Sequence, residues 1–459
     1  MNDNLKMESS MAAVFSKEYD HNMSIEELKE ILNESDEFII LEFKEIEKNK
    51  YIREKSKWKV SLKLQYLPMV METENAKDEY DNSKNNDELN FYIALVEASS
   101  LTENLPEIFS VNTVRESDYI EATKCKYAIH ISTVFNNFPL TDYQRQLKLL
   151  NNIAAETSIF LDISSFTARS GEWLKYTSTF SLPPSLDYLY TIHAIYDDDK
   201  NPEKIEYWFH THGLYRVGCI ELEIIGVEDS NAAYGELLSA CARLFIQNGV
   251  PKSGFVFSPA YKVNVCWLPW DMVLKELNID KDFSGSFKDR EDNIHNNPSG
   301  ALVAVDKNGN YKTLDYFKKE LSDNPVFMLS SFETEIMKQA AFEKIEYFIN
   351  LLNKNKGDDK ISFLVKMGYG ENNSNKDLEH LWFEVHSFNE DGFFDATLLN
   401  EPYKNLGMHE GERGLHNIEN LTDWQIYTEE AIFNPKNIYL LFYKIPIIFH
   451  IIKWKLHIE

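Results

Sequence analysis

The sequence predicts an α+β protein with mixed or antiparallel sheets and packed helices. We expect a larger N-terminal domain and a small β-rich C-terminal module. Segments that alternate with the two-residue period of a half-buried strand stand between segments of helical periodicity. Near the C-terminus, short strand patterns follow one another directly. Hydrophobic residues make up 43% and aromatic residues 13% of the 459 residues, which is enough apolar surface for packed cores.

The first 70 residues carry a small α/β pattern. Ser24 and Glu27 form an S-x-x-E capping box ahead of an apolar helical stripe, which predicts the start of a helix. Strands are predicted at 38–41 and 58–66, the second from a clear alternation of apolar and polar side chains. Whether residues 1–70 form a lobe of their own or part of the 1–305 domain stays open.

Residues 71–90 contain seven acidic residues, two lysines and very few apolar residues. Such a segment cannot offset its ordering entropy by burial, so it predicts an exposed acidic loop. From residue 91 to residue 305, strand and helix patterns mix. The predicted strands are 127–134, 188–195 and 263–268, and the predicted helices are centred on 147–153 and 234–248. Residues 281–300 form a polar loop before the apolar run 301–305.

Residues 306–325 are predicted to be a linker between two domains. Beyond it, the pattern of residues 326–440 predicts one helix over 336–352 and then strands at 361–367, 381–386 and 393–399. The last segment, 441–459, is apolar and basic in an otherwise acidic chain. An added native element and a tail produced by a change of reading frame are both compatible with it.

The charge balance excludes several classes of function. The chain has 47 basic and 74 acidic residues, for a formal net charge of −27. Such a surface repels phosphate backbones and anionic lipids, so we expect neither nucleic-acid nor membrane binding. The N-terminal residues lack a secretory apolar run, and the four cysteines are scattered. These features predict a cytoplasmic protein.

The segment 208–224, WFHTHGLYRVGCIELEI, is the most suggestive for chemistry. In a strand, the period of two places His210 and His212 on one face, and it pairs Glu221 with Glu223 in the same way. Two imidazoles with carboxylates suit zinc or iron. The alternative is structural, because histidine and glutamate on neighbouring strands commonly hydrogen-bond to each other or face solvent.

A second constellation lies in the predicted strand EHLWFEVH, 379–386. One face would carry His380, Trp382, Glu384 and His386, while the other face is apolar and belongs to a core. Tryptophan offers a large rigid contact area, so this face and a further tryptophan, Trp424, are candidates for a binding surface. The competing interpretation is the covered second face of a small sheet.

Several sequence motifs resemble two families. SGEW (170–173), HTHGLYRVGCIELEI (210–224), VCWLPWDMVLKEL (265–277) and HNNPSGAL (295–302) resemble the bacterial domain of unknown function 4026, over about residues 25–305. EHLWFEV (379–385), LNEP (399–402) and TDW (422–424) are similar to the domain of unknown function 2314, over about residues 325–430. Neither family carries an established activity, so the resemblance implies no catalytic residues.

Two hypotheses for function follow. The leading one is a non-enzymatic binding or regulatory protein without a cofactor, because phosphate-loop, dinucleotide and nucleophile-elbow motifs are absent. Its acidity favours another protein as partner, a basic one included, as in toxin-neutralising proteins. The competing hypothesis is a metal-dependent hydrolase at His210, His212, Glu221 and Glu223, with zinc or iron activating a water molecule.

Overall fold

The protein is described by a computed structural model that covers residues 8–442 with gaps. The described residues fall into two compact units. The first comprises Met1–Ser178 and Leu186–Met328, and the second comprises Thr179–Ser185 and Leu329–Glu459. The gaps are 48–49, 51, 53–54, 68–86, 104, 106–108, 112–113, 137, 197–206, 228–231, 280–284, 286, 291–294, 296, 323–330, 356, 359 and 372–377.

The first unit begins with an eight-stranded sheet. Its strands are β1 (Glu8–Phe15), β2 (Phe38–Glu45), β3 (Ser56–Tyr66), β4 (Glu88–Glu97), β5 (Ser110–Val111), β6 (Tyr127–Val134), β7 (Thr157–Asp162) and β8 (Thr167–Ser170). They lie in the order β2-β3-β4-β6-β1-β7-β8-β5, and each neighbouring pair is antiparallel except β5 and β8. The accompanying helices are α1 (Ile25–Asn33), α2 (Ser99–Thr102), α3 (Glu116–Ala122), α4 (Pro139–Ile153) and α5 (Gly171–Thr177).

Strand β1 lies in the interior of this sheet, between β6 and β7. Side chains on both of its faces are buried, since Met11, Ala12, Ala13 and Val14 are all inaccessible. A strand that is buried on both faces lacks alternation of apolar and polar residues, which is why the sequence did not predict it. At the start of α1, the Ser24 hydroxyl accepts a hydrogen bond from the Glu27 amide, as the capping pattern predicted.

A second sheet completes the first unit. Its strands are β9 (Thr191–Tyr196), β10 (Tyr207–His212), β11 (Glu221–Val227), β12 (Phe257–Ala260), β13 (Val263–Pro269), β14 (Ser299–Val305) and β15 (Tyr311–Lys312). Their order is β12-β13-β14-β11-β10-β9, with β15 also paired to β14. Only the β11–β14 pair is parallel. Helices α6 (Ala232–Asn248), α7 (Trp270–Glu276) and α8 (Lys318–Ser322) accompany this sheet.

Residues 306–322 of the segment predicted as a linker, 306–325, are described by the structure. They contribute β15, a 3₁₀ turn at Leu314–Phe317 and α8 to the first unit. Leu314, Phe317 and Leu321 are buried there. Burial of these three side chains makes the segment part of the first unit's core, and the boundary between the units falls after residue 328.

The second unit is built on a six-stranded antiparallel sheet. Its elements are α9 (Ser331–Glu343), α10 (Ile345–Lys354), β16 (Ser362–Tyr369), β17 (Glu379–Phe388), β18 (Phe393–Leu398), β19 (Arg413–Asn417), β20 (Leu421–Tyr427), β21 (Ile432–Phe433) and α11 (Tyr439–Phe442). The strand order is β19-β18-β17-β16-β20-β21. The single helix predicted over 336–352 is two helices, because Lys344 leaves the helical conformation with ψ at 11°.

These three mostly antiparallel sheets with packed helices confirm the α+β class, and the second unit is β-rich as predicted. Within the described ranges, no helix is both long enough and apolar enough to cross a membrane. Residues 71–86 of the predicted acidic loop and residues 443–459 of the predicted tail lie outside the described residues.

Candidate metal centre

Three neighbouring strands of the second sheet bring polar side chains to one face. In the register of the sheet, His210 on β10 stands opposite His193 on β9 and opposite Glu223 on β11. Directly opposed residues project from the same side of a sheet. His212 follows His210 at the strand's period of two and shares that side, as the sequence predicted.

The three histidines form a compact cluster. One ligand atom from each of His193, His210 and His212 can be chosen so that all three atoms lie within 4.8 Å of one another. His210 and His212 are only 2% and 3% exposed. Nε2 of His193, both ring nitrogens of His210 and Nε2 of His212 have no hydrogen-bond partner among the described residues. Buried polar atoms are normally paired, so this set requires an explanation.

Burial keeps these imidazoles neutral. Loss of hydration lowers the pKa of His193 to about 4, with a smaller contribution from the charge of His295. Loss of hydration also lowers the pKa of His210 and of His212 well below the usual value, and the neighbouring histidines add to this effect. A neutral imidazole carries a free lone pair and is the form that binds metal ions. At neutral pH the cluster is therefore ready to act as a ligand set.

A small cavity adjoins the cluster. His210 and His212 line it together with Trp208, Thr211, Glu221, Glu223, Arg290, His295, Asn297 and Ser299. This partly open cavity has room for about one water molecule or one metal ion. The Trp208 ring stacks on the His210 ring at a centroid distance of 4.0 Å, which restricts the orientation of that imidazole.

Glu223, predicted from the sequence as a metal ligand, lies in the cavity wall in a different role. Its carboxylate accepts two hydrogen bonds from the Arg290 guanidinium, at 2.8 and 2.5 Å, and one from Trp208 Nε1 at 3.0 Å. This two-point ion pair is almost wholly buried. The arginine also stacks on the Trp270 ring at 3.9 Å. Glu223 thus holds Trp208 and Arg290 in place around the histidines.

Glu221, the other predicted carboxylate ligand, is also engaged by the protein. It accepts hydrogen bonds from the Thr211 hydroxyl at 2.6 Å and from the amides of Gly213 and Tyr215 at 2.9 and 3.3 Å. Burial raises the pKa of Glu221 to about 7, and these hydrogen bonds oppose that rise. Glu221 therefore stabilises the turn that follows β10. The side chains that remain available as metal ligands are histidines.

Sequence reasoning missed three residues of this site: His193, Arg290 and His295. His193 had a local signal, because it alternates with apolar residues in the β9 segment TIHAIY and so faces away from them. Arg290 and His295 lie in the polar segment 281–300, which offers no periodicity. Only the three-dimensional fold brings them to the cavity.

The residues predicted as a binding surface lie in two different environments. His380, Trp382 and Glu384 are half-buried on one face of β17, while the residues between them are buried in the core, as expected. Lys366 Nζ lies 5.6 Å from the Trp382 ring centroid. Trp424, in contrast, is completely buried, and its Nε1 donates to the Ala341 carbonyl at 3.0 Å. Trp424 is a core residue, which corrects its assignment to a binding surface.

The fold and site define an α+β protein with a histidine cluster in the second sheet of its first unit. The N-terminal and C-terminal models of the protein of unknown function DUF4026 match residues 9–184 and 192–303. The model of DUF2314, an uncharacterized protein conserved in bacteria, matches residues 333–441. The chain belongs to the DUF4026 family over its first 303 residues and carries a DUF2314 domain after them. No curated protein and no solved structure matches the chain.

Proposed function

We propose that the first unit binds one transition-metal ion through His193, His210 and His212. One observation carries this proposal: two buried imidazoles and the partly buried imidazole of His193 converge within 4.8 Å, with ring nitrogens that have no partner among the described residues. Without an ion, burying these unpaired nitrogens costs free energy. A bound metal ion satisfies several of them at once.

The donor chemistry favours zinc. Imidazole nitrogen suits zinc, copper, iron and nickel, whereas magnesium and calcium require oxygen ligands. The non-haem iron site with two histidines needs a carboxylate ligand as well. Here Glu221 and Glu223 are both occupied by hydrogen bonds within the protein. An all-histidine set therefore supports zinc over iron.

Binding or regulation fits this site better than hydrolysis. The cavity has room for about one ion or one water molecule, and neither carboxylate in its wall is free to act as a general base. This supports a non-enzymatic cytoplasmic role in which a protein is the partner. The charge of −27 supports a basic partner, of the kind that a toxin-neutralising protein would bind. The half-buried face with Trp382 offers a contact area for it.

Metal analysis of the purified full-length chain tests the proposal. After zinc loading and dialysis, we expect about one zinc per chain, because a preformed ligand set holds its ion tightly. His210→Ala and His212→Ala should each bind zinc at least about tenfold more weakly. His386→Ala, which removes a partly buried histidine in β17, is the matched control and should retain full binding. Less than about a tenth of an equivalent in the wild type would refute the proposal.

Two further measurements separate the functional classes. If the zinc-loaded protein hydrolyses a nitrophenyl ester or phosphodiester, and His210→Ala abolishes that activity, hydrolysis replaces the binding role. A pull-down at moderate salt from the native cytosol should recover a stoichiometric protein partner. Recovery that falls when Trp382 is replaced by alanine would support the surface on β17, and the absence of any stoichiometric partner would contradict the binding role.

A further inference from the structure

We propose that His295 supplies a fourth ligand, so that the metal centre is a closed tetrahedral site made of four imidazoles. This inference rests on the proposed function, because it requires that a metal ion binds at the His193, His210 and His212 cluster. It adds a residue from a distant part of the sequence, and it specifies the kind of metal site. It also gives the centre a structural task within the first unit.

The ring positions carry this inference. Ring centroids are 4.8 Å apart for His210 and His212, 4.9 Å for His193 and His212, and 5.7 Å for His193 and His210. The His295 ring lies 4.9 Å from that of His210 and 5.3 Å from that of His212. Four imidazoles that bind one zinc at about 2.0–2.1 Å in a tetrahedron have ring centroids roughly 5 Å apart. The separations of the His295 ring from the rings of His210 and His212 match this spacing, while its ring nitrogens lie outside the set of ligand atoms within 4.8 Å of one another. A short movement of the His295 side chain would complete the tetrahedron.

Two contacts with β11 flank His295 in the sequence. On one side, Arg290 forms its two-point ion pair with Glu223 on β11. On the other side, the Pro298 carbonyl accepts a hydrogen bond from the Glu221 amide, and Ser299 begins the strand that pairs with β11. His295 lies between two attachments to the same strand, β11. The side chain of His295 lines the cavity.

Close packing at Gly285 also supports the position of His295 beside the histidine cluster. Gly285 has φ at +93°, and a Cβ atom there would lie 2.7 Å from the Trp208 ring. Only glycine permits both the left-handed backbone and this approach. The Gly285 carbonyl in turn accepts a hydrogen bond from Arg290 Nε at 2.9 Å. The Trp208 ring is 5.0 Å from that of His295, so the tryptophan packs between this segment and the cluster.

A fourth protein ligand changes what the metal does. Structural zinc sites take four protein ligands, whereas catalytic sites keep a position open for water or substrate. With His295 bound, the ion joins β9 and β10 to the segment that leads into β14. The site would then offer no open position for hydrolysis.

Cobalt substitution tests the coordination directly. Cobalt(II) reports its ligands through its visible absorption spectrum, and azide binds to it only where a protein ligand is missing. We expect azide to leave the spectrum of the cobalt-loaded wild type unchanged. We expect His295→Ala to bind cobalt at least about tenfold more weakly and to shift its spectrum on addition of azide. Added imidazole should restore the wild-type spectrum in this variant, and His386→Ala should behave as the wild type.

The outcomes separate this inference from the proposed function. A change in the cobalt spectrum of the wild type on addition of azide would overturn the closed site. This measurement uses the wild type alone, so it does not depend on the folding of a variant. Unchanged cobalt affinity in His295→Ala would overturn the closed site as well, while the three-histidine site remained. Failure of the wild type to bind either cobalt or zinc would instead refute the proposed function itself.

Discussion

The Arg216 guanidinium and the Asp162 carboxylate form a fully buried two-point ion pair between the two sheets of the first unit. Nη1 and Nη2 of the arginine each donate to one carboxylate oxygen at 2.8 Å. Asp162 ends β7 in the first sheet, and Arg216 lies in the 3₁₀ turn Leu214–Val217 between β10 and β11. Arg216 Nε also donates to the Leu189 carbonyl, just before β9. The pair therefore secures both strands that carry the histidine cluster.

Replacement of Asp162 by asparagine should strongly destabilise the first unit. The substitution leaves a guanidinium buried without its counter-charge, which typically costs about 3–5 kcal/mol. Urea unfolding, with hydrogen exchange of peptides from β7 and β10, measures the loss. Glu156→Gln is the control, because its ion pair with Lys175 is exposed on both sides and should contribute about 1 kcal/mol or less. Equal losses in the two variants would contradict a structural role for the buried pair.

Local sequence patterns predicted much of the fold. The strand predicted at 58–66 from its alternation corresponds to β3, and the strands predicted at 127–134 and 263–268 correspond to β6 and β13. Alternation also placed His210 and His212 on one face. Alternation is a property of neighbouring residues in one strand, so it cannot show which strands pair. The approach of His193 to His210 depends on β9 pairing with β10, and residues 197–206 separate these two strands in the sequence.

Two errors had different physical origins. Trp424 alternates with Ile426 in β20, and both are buried, so the local pattern itself indicates a core position for Trp424. Arg290 and His295 had no such signal, because a polar segment without periodicity does not reveal its tertiary contacts. The ion pair with Arg290 occupies the Glu223 carboxylate, and hydrogen bonds from Thr211 and Gly213 occupy that of Glu221.

Zinc should stabilise the first unit locally. A ligand that binds only the folded state adds about 2.7 kcal/mol at a free concentration one hundred times its dissociation constant. We therefore expect zinc to slow hydrogen exchange in β9, β10 and the start of β14. His210→Ala should show no zinc-dependent protection. Protection of the same peptides in this variant would mean that zinc acts elsewhere on the chain.

Glu223 should affect metal binding without touching the ion. It orients Trp208 through a hydrogen bond, and Trp208 stacks on His210. Groups that orient metal ligands typically change metal affinity by about 10–100-fold. Glu223→Gln should therefore weaken zinc binding within this range while the stoichiometry stays at one zinc per chain. Glu172→Gln, which removes one of the two carboxylate partners of Arg115 elsewhere in the unit, should leave zinc affinity unchanged.

Asp423 should make the stability of the second unit depend on pH. Burial raises the pKa of its carboxyl from 3.8 to about 6, against the opposing effects of the Trp424 amide, Lys436 and Lys366. Because the folded-state pKa lies above the unfolded value, the folded state holds the proton more tightly. This contribution to stability is complete below about pH 4 and is lost as the pH rises through about 6.

Asp423→Asn removes this titration, because the amide stays neutral at every pH. The variant should gain stability relative to the wild type between pH 4 and pH 7.5, by up to about 3 kcal/mol for a shift of about two pK units. Urea unfolding, followed by hydrogen exchange of peptides from β16 and β20, measures this difference. Asp391→Asn, in the exposed turn before β18, is the control and should show a stability difference that is nearly constant with pH. If the difference between Asp423→Asn and the wild type does not grow with pH, the burial of Asp423 carries no such cost.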